Sequence, residues 1–547
     1  MKKFKILYIL PLALLITSSC EQEPITLEPP TPVEVIPPTG SKGSADFTKF
    51  VAIGNSLTAG YQSGALFNEG QQNSLPLIMS KQFSIAQGTT LAFNQPDINS
   101  VNGFFGVAGT KVLGRLILFD SDGAGPKTVA PAPAGSTGMP APYTGGDIPS
   151  EYAGVRANLN NFGVPGILLV QALTPATGGP ANPAPPAAPI NPAYNPFYKR
   201  FASNASLDGV SGSTILGDAI AAQPTFFLFD LGNNDVLGYA TGGGSNPAIF
   251  TSVANFQAQY GGALATLLGS LPNAKGVVAN IPDVTTIPFF LTVAWNAIPL
   301  DAATASAVNS GFAGYNQILD AIKGNAGLMG AFGLTAAGLD ARKVTYAASS
   351  KNPILISDET LTDLKGAFDA LLGAGAITET QRASLEPYRK ARQTTATDLI
   401  TLSAGGILGT TVGGNPLAVN GVSIPLADNF VLLPSEIAEV RERTIAFNAI
   451  IKGVADANST RLAYADVNAT FTTLVTNKAG VYNGVTITPN FAPPTGVFSE
   501  DGVHPNSRGY SFMANVFIDA INAKFGATIP KASIADYKGT GLPVSAQ

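Results

Sequence analysis

Short segments made almost wholly of apolar, β-prone residues are the feature that most constrains the fold of this chain. A strand that is apolar at every position, rather than at alternate positions, is buried on both faces, which is typical of parallel sheets. A Gly, Pro or polar residue closely follows most of the segments, which predicts a turn after the strand. The segments are Phe50–Ile53, one before Asn160–Gly166 ("NNFGVPG"), Phe226–Leu231, "KGVVAN" ahead of Pro282, and Arg461–Val467. They predict an α/β fold with a parallel sheet covered by helices on both faces.

Two longer segments have the pattern of amphipathic helices. They run from Leu432 to Ala457 and from Pro505 to Phe525. In the second segment apolar residues recur at the spacing of one helical face, and Pro505 suits the first helical position. The residues of this face are Tyr510, Met513, Phe517, Ile521 and Phe525.

The composition excludes several classes of function. Charged residues are 12% of the 547 residues and the formal net charge is −5, so a nucleic-acid-binding surface is not indicated. The single Cys excludes an intramolecular disulfide framework. Because the chain has only one His as well, it lacks the clustered Cys and His ligands of a zinc site, and a site built from carboxylates alone has no visible motif. We therefore expect no metal and no cofactor.

The predicted folded domain runs from residue 46 to residue 535 and contains long insertions. Residues 121–150 and 175–195 are rich in Gly, Pro and Ala, which predicts loops without a core of their own. Residues 360–407 differ, because they combine helical patterning with a local cluster of charges. The uncharged segment 284–300 is short and contains two prolines, so we predict a buried or site-lining loop rather than a membrane span.

The first 20 residues have the pattern of an export signal. Lysines precede an apolar stretch from Ile6 to Ile16, and small residues then lead to Cys20. This arrangement resembles a bacterial lipoprotein signal, in which the Cys becomes the lipidated first residue of the mature chain. An ordinary cleaved signal with an incidental Cys is the alternative. Residues 21–45 are rich in Pro, which favours an extended tether, so we expect an exported protein anchored through Cys20 to a bacterial cell membrane, at the outer membrane or the cell surface.

Polar residues that can support acyl transfer follow the predicted strands. Ser56, Gly166 and Asn234 follow the first, second and third strands, and Asp501 and His504 lie near the C-terminus. A serine hydroxyl becomes a nucleophile when an imidazole takes its proton, and a carboxylate can orient that imidazole. His504, the only histidine, would be the base and Asp501 its partner. The backbone N–H groups of Ser56 and Gly166, together with the Asn234 amide, would bind the oxyanion.

Four motifs that contain these residues resemble, in order, the sequence blocks of the SGNH/GDSL hydrolases. They are "GNSL", "NFGVPG", "GNND" and "DGVHP". The resemblance implies a flavodoxin-like three-layer α/β/α fold and esterase or lipase activity without a cofactor. It also implies Ser56 as the nucleophile, the oxyanion hole at Ser56, Gly166 and Asn234, and an acid–base pair of Asp501 with His504. Where the family name has Asp this chain has Asn55, which we expect to keep the hydrogen bonding of the turn.

We therefore predict a serine ester hydrolase that forms an acyl-enzyme on lipid or short-chain carboxylic esters. Two alternatives stay open: a deacetylase of acetylated glycans, and a catalytically silent surface-binding lipoprotein on the same scaffold. Each residue also has a plainer interpretation when it is taken alone. Ser56 can serve as a helix N-cap, Asn234 and Asp235 can form a turn, and His504 can be structural.

The substitution Cys20→Ala tests the proposed anchor. We expect the unsubstituted protein to fractionate with membranes and the variant to be released, because the thiol that would carry the lipid is missing. Fractionation of expressing cells followed by immunoblotting measures this. Ser18→Ala is the control, since it changes a neighbouring small residue and keeps the thiol. An unchanged distribution of the Cys20→Ala variant would contradict the anchor.

Overall fold

Five parallel strands form the central sheet of the protein, in a computed structural model that describes residues 39–108, 110–120, 131–133, 145–181 and 191–545. In chain order they are β1 (Phe50–Gly54), β2 (Asn161–Gly163), β3 (Phe226–Asp230), β4 (Lys275–Ala279) and β5 (Leu462–Ala465). Their order across the sheet is β2-β1-β3-β4-β5, and every neighbouring pair is parallel. The prediction of an α/β fold with a parallel sheet is therefore confirmed.

Helices pack against this sheet, border its carboxyl edge and build an inserted region. In chain order the main ones are α1 (Ser56–Ala59), α2 (Leu75–Gln87), α3 (Ile215–Ala221), α4 (Asn234–Thr241), α5 (Val253–Ser270), α6 (Ala302–Lys323), α7 (Lys365–Gly373), α8 (Pro434–Ala457), α9 (Val467–Asn477) and α10 (Ser507–Phe525). Shorter α-helices are Asn68–Gln72, Pro196–Lys199, Pro288–Leu291, Ala326–Ala331, Ala336–Asp340 and Glu379–Ser384. Within the described residues, no helix is both long and apolar enough to cross a membrane.

Strands outside the central sheet pair in small two- and three-stranded units. They are Gly106–Ala108, Lys111–Leu113, Leu116–Asp120, Pro131–Pro133, Ile298–Leu300, Ser349–Asn352, Leu355–Ser357, Ala391–Gln393, Leu399–Ile400, Thr411–Val412, Asn415–Val419, Val431–Leu432, Gly480–Tyr482, Val485–Ile487 and Val544–Ser545. The predicted signal peptide with Cys20 and most of the tether at 21–45 lie outside the described residues. So do most of the predicted insertion 121–150 and residues 182–190 of the insertion 175–195.

The two faces of the sheet enter two separate cores, because successive side chains of a strand point to opposite faces. On β1, Val51 and Ile53 belong to one core, which also contains buried residues of α3, α5 and α8. Phe50 and Ala52 belong to the other core, with buried residues of α2 and α10. All four side chains are at most 2% exposed. Helices therefore cover both faces, which is why the strands are apolar at every position.

Strand β2 comprises the first residues of the "NFGVPG" motif and does not precede it, so the predicted position of this strand is wrong. The prediction looked for wholly apolar segments, and it missed this strand because Asn160 and Asn161 are polar although they are buried. Their side-chain amides form hydrogen bonds with backbone carbonyl oxygens inside the fold. Asn160 Nδ2 donates to the carbonyl oxygen of Phe50 over 2.7 Å, and Asn161 Nδ2 donates to that of Thr58 over 2.9 Å.

Helix α10 begins two residues later than the sequence predicts. Asn506 caps it, since its Oδ1 accepts a hydrogen bond from the Gly509 N–H at 3.0 Å. Pro505 therefore precedes the cap and is not the first helical residue, so that detail of the prediction is wrong. The predicted face is confirmed, because all five of its apolar residues are buried in one core.

Residues 298–433, which we call the inserted region, form a core of their own between β4 and β5 along the chain. The predicted insertion 360–407 lies within this region and shares its core, since Phe368 of α7 packs there with Phe312 and Leu319 of α6. Strand Ala391–Gln393 also pairs with Leu355–Ser357, which precedes the predicted boundary. The segment that precedes the inserted region, predicted as a site-lining loop, contains the short helix Pro288–Leu291.

Candidate active site

The hydroxyl of Ser56, the ring of His504 and the carboxylate of Asp501 form a continuous hydrogen-bonded chain. Ser56 Oγ lies 2.9 Å from His504 Nε2, and His504 Nδ1 lies 2.8 Å from Asp501 Oδ2. The structure thus brings the three predicted catalytic residues together, although 448 positions separate Ser56 from His504. When Nδ1 carries a proton toward the carboxylate, Nε2 is the atom that can accept the proton of the serine.

A tight strand-to-helix turn presents Ser56. β1 ends at Gly54, Asn55 caps α1, and Ser56 is the first helical residue. Asn55 Oδ1 accepts a hydrogen bond from the Leu57 N–H at 2.9 Å, so the expected hydrogen bonding of the turn is present. The interpretation of Ser56 as the cap is wrong, because Asn55 has that role and the serine hydroxyl faces the imidazole. A Cβ at Gly54 would lie 2.0 Å from Thr58 Oγ1, so only glycine fits there.

Asp501 accepts five hydrogen bonds, which fix its orientation. Its Oδ1 accepts from the N–H groups of Val503 and His504, both at 2.9 Å, and from Ser499 Oγ at 3.1 Å. Its Oδ2 accepts from the Gly64 N–H at 2.8 Å and from the imidazole. Burial alone would raise the pKa of Asp501, but the charge of His504 and these hydrogen bonds outweigh it and hold the pKa below its ordinary value. The group is therefore a carboxylate at neutral pH.

A turn near the N-terminus of the described chain supports the acid–base pair. The Ser63 N–H donates to Ser499 Oγ at 2.8 Å, and Ser63 Oγ donates to Glu500 Oε2 at 2.6 Å. Burial raises the pKa of Glu500. The ring of Tyr61, which precedes this turn, lies 4.8 Å from the His504 ring, measured between ring centres. The turn therefore fixes the segment that carries the base and packs an aromatic ring against the imidazole.

The predicted oxyanion donors lie at the ends of β1, β2 and β3. Within the described residues, the N–H groups of Ser56 and Gly166 donate no hydrogen bond and remain free to bind a ligand. Gly166 has φ of +77°, a conformation that favours glycine, and it is exposed. Asn234 Nδ2 donates to the Ile167 carbonyl oxygen at 2.8 Å, which uses one of its two hydrogens. Asn234 also borders the same cavity as Ser56, so its second hydrogen can serve that cavity.

Asn234 and Asp235 together tie the segment after β2 to the start of α4. The Leu169 N–H donates to Asp235 Oδ2 at 2.9 Å, and Thr251 Oγ1 donates to Asp235 Oδ1 at 2.6 Å. Burial raises the pKa of Asp235 to about 6. The Asp235 N–H donates to the Gly232 carbonyl oxygen at 3.2 Å, so residue 235 closes a turn as expected, and its fully buried carboxyl group in addition joins two segments. These bonds fix the loop of Gly166 relative to Asn234.

Two cavities open at the triad. The first, which we call the apolar cavity, has a volume of about 110 Å³ and extends between α9 and α10. Ser56, Asn234 and His504 border it, and Val284 and Ile287 of the predicted site-lining segment also contribute to its wall. The expectation that this segment lines the site therefore holds for these two residues.

The second cavity, which we call the outer cleft, is wider and lies on the Asp501 side of the imidazole. Its volume is about 540 Å³, and His504, Asp501 and Tyr61 border it. The inserted region contributes Leu402 and Ser403 to the opposite wall. His504 thus separates a narrow apolar space from a broader space that includes polar side chains.

Carboxylates that could hold a metal ion cluster away from the triad. Single oxygens of Glu359, Asp428 and Glu436 lie within 4.8 Å of one another. Burial together with the charge of Glu359 raises the pKa of Asp428 to about 7. Burial raises the pKa of Glu436 to about 8. Repulsion among the neighbouring carboxylates adds to the effect of burial on both pKa values.

Sequence reasoning missed the residues that support the triad, namely Tyr61, Ser63, Gly64, Ser499 and Glu500. Ser499 lies two residues before the "DGVHP" motif and Ser63 lies six residues after "GNSL". Neither belongs to a sequence pattern, because their partners lie more than 430 positions away. Comparison of the chain with protein-family models, with curated proteins and with solved structures gave no match. The assignment of function therefore rests on the geometry of the site and on the sequence motifs.

Asp501→Asn and Ser499→Ala should differ strongly in effect. In either orientation, an asparagine amide at position 501 points its NH₂ group at N–H donors that the carboxylate now accepts, so we expect a loss of at least about a thousandfold in kcat. Ser499→Ala removes one of the five bonds without adding a donor, so we expect a loss of about tenfold. Ester hydrolysis rates, with thermal unfolding as the control for folding, measure both. Equal losses in the two variants would contradict the role of Asp501.

Proposed function

We propose that this protein is a serine ester hydrolase of the SGNH/GDSL type, which acts through an acyl-enzyme on carboxylic esters. The observation that carries the proposal is the hydrogen-bonded chain from Ser56 through His504 to Asp501, which opens onto a cavity. A serine hydroxyl, an imidazole and a carboxylate in this order are the groups that acyl transfer requires. The low pKa of Asp501 supports the role, since only a carboxylate stabilises the imidazolium that forms.

The mechanism follows from these contacts. His504 Nε2 takes the proton of Ser56 as Oγ attacks the ester carbonyl carbon, and the carbonyl oxygen becomes an oxyanion. The N–H groups of Ser56 and Gly166, with the remaining hydrogen of the Asn234 amide, bind that oxyanion; each such donor lowers the barrier by roughly 3–4 kcal/mol. His504 then returns the proton to the leaving alcohol, which leaves an ester on Ser56. Water, deprotonated by His504, hydrolyses this ester and restores the serine.

The topology of the sheet supports the same proposal. In order across the sheet the strands run 2-1-3-4-5, as in flavodoxin-like doubly wound folds. The strand order reverses between β1 and β3, and ligands of such sheets bind at this point beyond the carboxyl ends of the strands. Ser56 follows β1 and Asn234 follows β3. The nucleophile and one oxyanion donor thus flank the expected binding position.

The alternatives explain less of the site. A silent binding protein would need neither the ionised Asp501 nor the free N–H group of Ser56. A deacetylase would use a small acyl pocket, whereas the apolar cavity extends between two helices. We also propose that the enzyme is exported and anchored through Cys20, which would give it access to ester substrates outside the cytoplasm.

Covalent labelling tests the nucleophile. We expect a fluorophosphonate to modify Ser56, and Ser56→Ala to lose both labelling and at least about a thousandfold of kcat toward p-nitrophenyl esters. Peptide mapping by mass spectrometry locates the label. Ser270→Ala is the control, because Ser270 is exposed at the end of α5 and borders neither cavity of the triad. Labelling of another serine in folded protein would contradict the proposal.

A further inference from the structure

The two cavities at His504 differ in volume and in the polar side chains that border them, although apolar side chains form most of the lining of both. We propose that the apolar cavity holds an unbranched aliphatic acyl group of medium length, and that the outer cleft holds the alcohol. This inference rests on the proposed function, because it identifies the substrate of that same site. It concerns residues of α9 and α10 that take no part in the chemical step.

The wall of the apolar cavity is almost wholly hydrocarbon beyond its mouth. Its lining includes Phe471 and Leu474 of α9, Met513 and Val516 of α10, and Phe498. Thr470 on α9 is a polar exception, but its hydroxyl already donates to the Asp466 carbonyl oxygen at 3.1 Å. A wall without free hydrogen-bonding groups favours a methylene chain and disfavours a sugar or a charged group.

The positions of the catalytic groups assign the two cavities. The acyl carbon bonds to Ser56 Oγ while its oxygen points to the oxyanion donors, and Ser56 and Asn234 both border the apolar cavity. The leaving oxygen must lie near His504, which returns the proton. The outer cleft is bordered by His504 and Asp501 and not by Ser56. His504 borders both cavities, so the acyl assignment depends on Ser56 and Asn234, and the alcohol is assigned to the outer cleft as the second space that opens at His504.

The size of the apolar cavity sets the length of the chain. Its volume of about 110 Å³ is comparable with the roughly 150 Å³ of an engineered apolar cavity that binds benzene. We therefore expect room for about six carbons before side chains must move. Thr470, Phe512 and Val516 also border a further depression, which contains Asp466 and Lys531. A longer chain would leave the hydrocarbon wall there, so additional methylenes would gain little.

An acyl-length series tests this assignment. p-Nitrophenol is the alcohol in every substrate of the series. We expect kcat/KM to rise about threefold to fourfold per methylene from acetate to about hexanoate, because each buried methylene contributes a similar favourable free energy. For longer chains we expect kcat/KM to level off. Substrates are used below their aggregation limits. Methyl- and pentylphosphonate p-nitrophenyl esters, in which phosphorus replaces the carbonyl carbon of acetate and hexanoate, provide an independent measurement, since we expect the pentyl compound to inactivate the enzyme faster without turnover.

A pair of matched substitutions on α9 tests the wall itself. Thr470 borders the apolar cavity, whereas Thr473 is exposed, and each hydroxyl donates to the backbone carbonyl oxygen four residues earlier. We expect Thr470→Trp to lower kcat/KM for hexanoate at least about tenfold while acetate stays within threefold. Thr473→Trp should leave both unchanged. Retained acetate hydrolysis shows that the Thr470→Trp variant is folded.

The outcomes separate this inference from the proposed function. Equal or better hydrolysis of acetate than of hexanoate by the unsubstituted enzyme, with Ser56→Ala inactive, would overturn the acyl assignment and leave the hydrolase intact. An identical loss for both esters in Thr470→Trp would also overturn it. Absence of hydrolysis for every ester, together with absence of phosphonate inactivation, would instead overturn the proposed function.

Discussion

The parallel pairing of β1 with β2 and β3 is the constraint on which the site depends. Gly54 pairs with Gly163 on one side and with Asp230 on the other, so three strands end at the same level. Ser56, the proposed nucleophile, and the two other proposed oxyanion residues follow these ends by two to four positions. A register slip of one residue would exchange the side chains that each strand sends into the two cores, for example Val51 and Ile53 for Phe50 and Ala52, and so would disrupt the packing of both cores. The two cores therefore hold the register and, with it, the geometry of the site.

The acid–base pair comes from the opposite end of the chain, and the same hydrogen bonds fold it and orient it. A buried carboxylate is costly unless donors satisfy it, and Asp501 accepts from Gly64, which lies 437 positions earlier, as well as from its own loop. The Ser63 N–H bond to Ser499 reinforces this connection. Docking of the segment around residue 500 onto the turn after α1 thus assembles the triad. The geometry of the triad and the stability of this region therefore depend on the same hydrogen bonds.

The sequence predicted those parts of the fold and site that depend on local patterns. Wholly apolar strands indicated a sheet buried on both faces, and a single histidine near an aspartate indicated the pair that the structure joins to Ser56. What it missed depends on pairing between distant residues. The strand that starts at Asn161 escaped an apolar criterion because its polar side chains find buried partners. The supporting serines at 63 and 499 and the shared core of residues 298–433 depend on contacts that no local pattern records.

A single titration tests the central claim that His504 is the base for Ser56. Because the chain has one histidine, its imidazole NMR signals can be assigned without ambiguity and followed with pH. The neutral imidazole accepts the serine proton, so kcat/KM should rise with pH along the same curve that the NMR titration of the free enzyme traces. Coincident midpoints, together with loss of turnover in His504→Ala, are the predicted result. Clearly different midpoints with a substrate for which chemistry limits the rate, or normal turnover in His504→Ala, would contradict the account.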